Sequence, residues 1–196
     1  MVTNPQMDNL TVADQSVLFS LSTIRDIIEI PEAVYEFVSA SRTTIGQIIH
    51  RQDHRLMVVV GSCSIHDVTA ALDYANRLTD LSALVAGNLY LVMRVYFETP
   101  HTTIGWKGLI NDPNFDDSFE IEIGLTIGQT LLRDILALGL TTATEALDPT
   151  TPQYLHDRIS WSVIGARTTE SQTHSKMASG LSSPVEFKML PTTVWH

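Results

Sequence analysis

Leu56-Met57-Val58-Val59-Val60-Gly61 is an unbroken apolar run closed by a glycine. Such a run has no alternation of apolar and polar side chains and so no face to give to water. It predicts a strand covered on both sides, as in a parallel sheet. A short polar loop with Asp67 leads from it into a helical stretch from about Val68 to Leu84, and Leu89–Phe97 (LYLVMRVYF) is a second strand. Phe119–Leu138 is helical, with Gly139 placed to end it. Thr141–Glu145 is a threonine-rich third strand, and Thr151–Ile159 a helix with Pro152 near its first turn. Trp161–Ala166 is a fourth strand, Glu170–Leu181 a helix and Val185–Lys188 a fifth strand. Strand, loop and helix repeating in this order imply an α/β fold with a parallel sheet and helices outside it.

Periodicity leaves two closures open, a doubly wound sheet and an eight-stranded barrel. No GxGxxG follows the first strand, which weakens the dinucleotide-binding form of the open sheet. Polar residues gather at the strands' C-terminal ends: Cys63, Arg94, Glu145, Arg167 and Lys188. A barrel carries its active face there, and an open sheet binds ligands at the same end.

Upstream, the apolar residues from Ile24 to Ile49 recur mostly at steps of three and four, so Ser22–Ile49 predicts helix broken at Pro31. Residues 1–15 are polar and aperiodic, as expected of an arm. The chain therefore divides into an arm and helical extension (1–55), a strand–helix domain (56–188) and a tail (189–196). A long loop, 98–117, separates the second strand from the next helix, and loops of that length are usually functional or disordered.

The chain has 196 residues, 44% of them hydrophobic and 17% charged, which suits a folded domain. Its net charge of -10 argues against a nucleic-acid partner while allowing a local basic pocket. A single cysteine excludes an internal disulfide and makes a reducing compartment the default. No apolar run reaches the roughly 18 residues of a membrane span, and the first ten residues lack the features of a secretory signal. A cytoplasmic domain without membrane contact is expected.

Arg94, Arg167 and Lys188 each end a different strand. Guanidinium and ammonium groups there suit a clamp on phosphate and carboxylate, with ordinary rim ion pairs as the alternative. Glu145 would orient one of these cations or act on a proton. Cys63 offers a thiolate, a soft metal ligand, with His66 and Asp67 close in sequence. Taken alone it reads more simply as an inert small residue at a strand end, since no second cysteine or HxxxH supports a site. Lys107 is expected in solvent, Trp106 and Trp161 in packing, and the acidic residues Asp112, Asp116, Asp117, Glu120 and Glu122 at a solvated helix start.

The blocks GSCSIHD (61–67), MRVYFE (93–98), GWKGLINDP (105–113) and IGARTTESQ (164–172) resemble the type I 3-deoxy-D-arabino-heptulosonate 7-phosphate synthases, from about Arg42 to Lys188. The resemblance implies a (β/α)8 TIM barrel with an N-terminal helical extension, of which about five strands are present. It also implies a transferase of aromatic amino-acid biosynthesis. That reaction condenses phosphoenolpyruvate with erythrose 4-phosphate at the head of the shikimate pathway, with a divalent metal. Carried over by position, Cys63 matches the metal-binding cysteine. Arg94, Arg167 and Lys188 match cations that hold phosphoenolpyruvate, Glu145 matches a neighbouring acid, and Gly165 and Ala166 match backbone of the phosphate region. Lys188 and Glu145 are the catalytic candidates. Asp148, Gln153 and Ser182 fall in segments that form an aromatic amino-acid effector pocket in feedback-regulated members.

The chain departs from that pattern in four places. After Phe187-Lys188 the family continues Asn-Gly-Thr-Asp-Gly, whereas this sequence reads MLPTTVWH, and the family's other metal ligands belong to later strands. The family's Lys-Pro-Arg-Thr is Thr99-Pro100-His101-Thr102 here, removing two substrate-binding charges. Ser62 replaces a proline, and Glu186 a glycine. The expectation is a truncated chain, inactive alone. The alternative is a non-catalytic partner or regulatory subunit, forming an oligomer with itself or with a full-length synthase.

Overall fold

Five strands form one sheet: β1 (Leu56–Val60), β2 (Leu89–Arg94), β3 (Thr141–Glu145), β4 (Trp161–Ile164) and β5 (Val185–Phe187). The structure, a computed structural model, describes residues 17–99 and 105–188. The arm at 1–15, the segment Pro100-His101-Thr102 and the tail at 189–196 lie outside the described residues. The sheet order is β1-β2-β3-β4-β5 and every pairing is parallel. Each strand lies beside its neighbour in sequence, so the order never reverses. A doubly wound sheet needs such a reversal. The sheet is a curled half-barrel, an incomplete (β/α)8 barrel.

The helices are α1 (Leu21–Ile27), α2 (Glu32–Ile49), α3 (Val68–Val85), α4 (Ile121–Ala137), α5 (Thr151–Leu155) and α6 (Gln172–Gly180). Their starts follow from local chemistry. The Asp67 carboxylate accepts from the Ala70 amide at 3.0 Å, and the Ser171 hydroxyl from the His174 amide at 3.5 Å, each satisfying an orphan donor of the first turn. Gly139, at φ 76°, ends α4 in the left-handed conformation that glycine adopts without a Cβ penalty.

Alternation along the strands divides the core in two. Leu91, Met93, Val95 and Phe97 point outward, where they meet Ala75 and Leu78 of α3 and Leu125, Leu132 and Ile135 of α4. Val92, Ala143, Trp161 and Val163 point inward, with Met57, Val59 and Tyr90 packed against them. Ile45 of α2 joins this inner cluster, fully buried. The helical extension thus plugs the N-terminal end of the half-barrel. Polar contacts fix the plug: Ser41 Oγ lies 3.1 Å from Thr141 Oγ1, which lies 2.7 Å from the Tyr90 hydroxyl. The Arg42 guanidinium donates to the carbonyls of Ile159 at 2.8 Å and His156. Among the described residues, no helix closes the concave face at the strands' C-terminal ends.

Several element ends differ from the sequence expectation. β2 stops at Arg94, short of Phe97, because the Tyr96 carbonyl turns to accept from the Ile65 amide at 2.8 Å. β4 stops at Ile164 because the Gly165 carbonyl is taken by the Thr168 amide at 3.0 Å, opening a turn. The stretch expected as one helix over Thr151–Ile159 is α5 followed by a 3-10 turn, His156–Arg158. Leu56 on β1 and Phe187 on β5, the sheet's two edge strands, are 65% and 40% exposed.

Candidate functional site

The open end of the concave face is built by strand register. Val60 pairs with Met93, which brings Gly61 level with Arg94. A Cβ at Gly61 would stand 2.6 Å from the Arg94 carbonyl, so this approach requires glycine. The carbonyls beyond β1 then hold the guanidinium: Arg94 Nε donates to Ser62 O at 2.8 Å, and a terminal nitrogen to Gly61 O at 2.7 Å. Its carbon lies 5.3 Å from the centre of the Tyr96 ring.

Lys188 arrives from the far edge. Its Nζ is 5.7 Å from the same ring centre and 4.0 Å from Glu145 Oε1. Two strands separate β2 from β5, and in a flat sheet their backbones would be roughly 14 Å apart at about 4.8 Å per strand. Curling of the sheet, together with two long side chains, closes that gap. Glu145 is largely buried and leans on Gly165, where an added Cβ would meet Oε1 at 2.6 Å. The Thr169 hydroxyl lies 3.1 Å from Gly165 O and 2.7 Å from Lys188 O, tying the ends of β4 and β5 together. Ala166 and Arg167 lie in the turn that follows, with Arg167 exposed.

Tyr96 sits among these charges, only 8% exposed. Burial, then the Glu145 carboxylate, push its phenol up to about 12, with Glu186 and Cys63 adding and Arg94 opposing. The hydroxyl is therefore neutral near pH 7. Glu186 pairs with Val163, an inward residue, so it lies on the concave face on the same side as Lys188. The carboxylate that replaces glycine thus shares the face of the cations.

Cys63 is exposed just beyond β1. Among the described residues no three His, Cys, Asp or Glu side chains come together as a metal site, and the Asp67 carboxylate is engaged in capping α3. One soft donor does not fit the coordination of a resident divalent metal.

The effector-segment residues separate. Gln153 lines a cavity of about 500 Å³ with Leu21, Pro149, His156, Lys176, Met177 and Leu181. Ser182 follows Leu181 and is exposed. Asp148 instead turns the chain ahead of α5, accepting from the Thr150 and Thr151 amides at 2.6 and 3.1 Å. It borders a different hollow of about 280 Å³ with Glu98, Thr99, Lys107 and Asn111. Glu98 is a buried acid that the sequence did not single out. It accepts from Thr151 Oγ1 at 3.1 Å and Asn111 Nδ2 at 3.4 Å, and desolvation raises its pKa.

The structure brings Arg94, Glu145, Gly165 and Lys188 together, and sequence reasoning missed the ring between the cations. The signal was present: Tyr96 lies two residues beyond Arg94, and a period of two keeps both on one side of an extended chain.

The sequence profile of the DAHP synthetase I family matches residues 27–194. The chain is 54% identical over 182 residues to a Tyr-sensitive phospho-2-dehydro-3-deoxyheptonate aldolase of Salmonella typhimurium, covering 93% of this chain and 51% of that protein. A phospho-2-dehydro-3-deoxyheptonate aldolase of Amycolatopsis methanolica is 48% identical over 168 residues, covering 86% of this chain and 83% of that one. The solved structure of the Francisella tularensis phospho-2-dehydro-3-deoxyheptonate aldolase superposes with a TM-score of 0.88 at 46% identity, over 91% of this chain and 52% of that one. The chain spans about half the length of the Salmonella and Francisella relatives.

Proposed function

From membership of the DAHP synthetase I family, to which this chain belongs, we propose that it carries the phosphoenolpyruvate-binding half of a 3-deoxy-D-arabino-heptulosonate 7-phosphate synthase. The observation that carries the reading is the convergence of Arg94 and Lys188 on Tyr96, with Glu145 beside Lys188. Two cations from distant strands, one of them held by loop carbonyls, form a preorganised anion cradle at the end of a parallel sheet. Arg94 offers a planar fork of donors to phosphate or carboxylate, and Lys188 a point charge. Arg167 on the neighbouring turn would add a second guanidinium, and the Gly165–Ala166 backbone would pack against the phosphate. Glu145, 4.0 Å from the Lys188 ammonium, would help to orient it.

The family reaction joins phosphoenolpyruvate to erythrose 4-phosphate and releases inorganic phosphate. This chain's part in it is to bind and orient phosphoenolpyruvate. Both substrate sites carry less charge than the family's: Thr99 stands where the family has a lysine that serves phosphoenolpyruvate, and His101 where it has the arginine that serves erythrose 4-phosphate. With Cys63 as the lone soft donor, the chain is expected to bind phosphoenolpyruvate without turning it over by itself, so in cells it would work in the cytoplasm within a larger assembly. A second reading is a non-catalytic partner of a full-length synthase. It is favoured by the exposed Leu56 and Phe187 on the two edge strands, since an uncovered apolar edge invites pairing with another chain. Gln153 and its cavity would then serve an effector, with Asp148 bordering the separate hollow beside Glu98 and Ser182 lying next to Leu181 at the cavity's edge.

Calorimetric titration of the chain with phosphoenolpyruvate tests the primary reading. Saturable binding that Arg94→Met and Lys188→Met each weaken on the order of ten-fold or more is expected, since charge-assisted contacts contribute roughly 1.5–3 kcal/mol. Absence of saturable binding would overturn it. Co-purification with a full-length synthase distinguishes the second reading.

A further inference from the structure

Arg94 and Lys188 reach the cradle from β2 and β5, strands that share no backbone hydrogen bond. Neither cation is aligned by the other, since like charges repel. Arg94 has carbonyl partners, but the Lys188 ammonium lies 4.0 Å from its carboxylate partner, the outer limit of an ion pair, and is 41% exposed. What the two share is the ring of Tyr96, 5.3 Å from one and 5.7 Å from the other. A lysine stem with four rotatable bonds would otherwise sample many positions over an open face.

We propose that Tyr96 is a positioning residue of the anion cradle: its aromatic ring, rather than its hydroxyl, holds Arg94 and Lys188 at the spacing that phosphoenolpyruvate binding needs. The negative face of an aromatic ring attracts a cation within about 6 Å without neutralising it. A carboxylate in the same place would compete with the incoming anion, whereas a ring does not. The backbone that carries the ring is held: the Tyr96 carbonyl accepts from the Ile65 amide at 2.8 Å, and the Ser64 hydroxyl lies 3.4 Å from the same oxygen. Its near-complete burial restricts the ring's movement. The inference deepens the phosphoenolpyruvate reading and rests on it for the identity of the ligand.

The test compares Tyr96→Phe with pentafluorophenylalanine at position 96 in the full chain. Both retain the ring's shape, and the second reverses its quadrupole. Two readouts are taken: phosphoenolpyruvate affinity by calorimetry, and the ring-current shift of the Lys188 ε-methylene protons by NMR. The expectation is that Tyr96→Phe binds within about two-fold of the original, while the fluorinated ring loses on the order of ten-fold. The Lys188 shift should persist in Tyr96→Phe and diminish with the fluorinated ring. Equal affinity in all three proteins would overturn the proposal, and so would a loss in Tyr96→Phe as large as in the fluorinated protein, which would assign the role to the hydroxyl. Were the original chain not to bind phosphoenolpyruvate, the primary reading would fall. The Lys188 shift would then decide the ring's part alone: its dependence on the ring quadrupole supports positioning, and its absence from the original chain refutes it.

Discussion

Gly124 and Gly128 stand one turn apart inside α4, and the structure predicts opposite outcomes when each becomes alanine. A Cβ at Gly124 would stand 2.1 Å from the Ile110 carbonyl oxygen and 2.6 Å from its carbon. These are backbone atoms of the buried loop between β2 and α4, and no rotamer change relieves the clash. The loop must retreat from the helix by about 1 Å or more, which as overpacking costs roughly 1–3 kcal/mol. Alanine's better helix propensity returns about 0.5–1 kcal/mol. The net is a loss of up to roughly 2.5 kcal/mol, or a fall in Tm of up to about 10 °C for a chain of this size. At Gly128 the nearest atom is Ile110 Cγ1 at 3.7 Å, an ordinary contact. There only the propensity gain remains, and Tm should rise by about 1–4 °C. Thermal unfolding followed by circular dichroism measures both. Equal Tm values for the two variants, or a Gly124→Ala protein at least as stable as the original, would refute the packing of Ile110 against α4.

Gly165→Ala should leave Tm nearly unchanged, because the atom it displaces is the free end of the Glu145 side chain. Phosphoenolpyruvate affinity should nonetheless fall on the order of ten-fold as Glu145 is pushed from beside Lys188; unchanged affinity by calorimetry would count against Glu145's orienting role. Glu186→Gly should tighten phosphoenolpyruvate binding by about two- to five-fold and reduce its sensitivity to salt, the scale of an exposed charge. Weaker binding would show that the carboxylate assists the cradle. Glu98 has a folded-state pKa raised by burial above its ordinary value of 4.5, so the folded state holds the proton more tightly. The stability this contributes is present below pH 4.5 and lost as pH rises through the raised value. Glu98→Gln keeps an acceptor for Thr151 and Asn111 and removes the charge. Its Tm should exceed the original's at pH 8 and approach it at pH 4, and a constant difference across that range would exclude the linkage.

The strands were legible because each satisfies a local rule: LMVVV is an unbroken apolar run, although as an edge strand it is half-buried rather than covered on both faces, and TTATE ends on its one acid. The sheet order was not, since strand–helix repetition fits both closures and only the pairing of β1 through β5 in sequence separates them. The place of α2 was likewise hidden. Periodicity shows that Ile45 lies on an apolar stripe, but not that the stripe enters the inner cluster with Val92 and Trp161. At the site, Arg94 and Lys188 were visible as cations at strand ends. Tyr96 was hidden within an apolar run, where an aromatic reads as core. Glu98 was obscured because its burial depends on Asn111 and Thr151, the latter 53 residues away.

The most direct measurement is a phosphoenolpyruvate titration of the isotopically labelled chain followed by NMR. The account predicts saturable shifts at Arg94, Gly165, Ala166 and Lys188, with Gln153 and Leu181 in the separate cavity unmoved. Shifts confined to that cavity, or none at any phosphoenolpyruvate concentration, would contradict it.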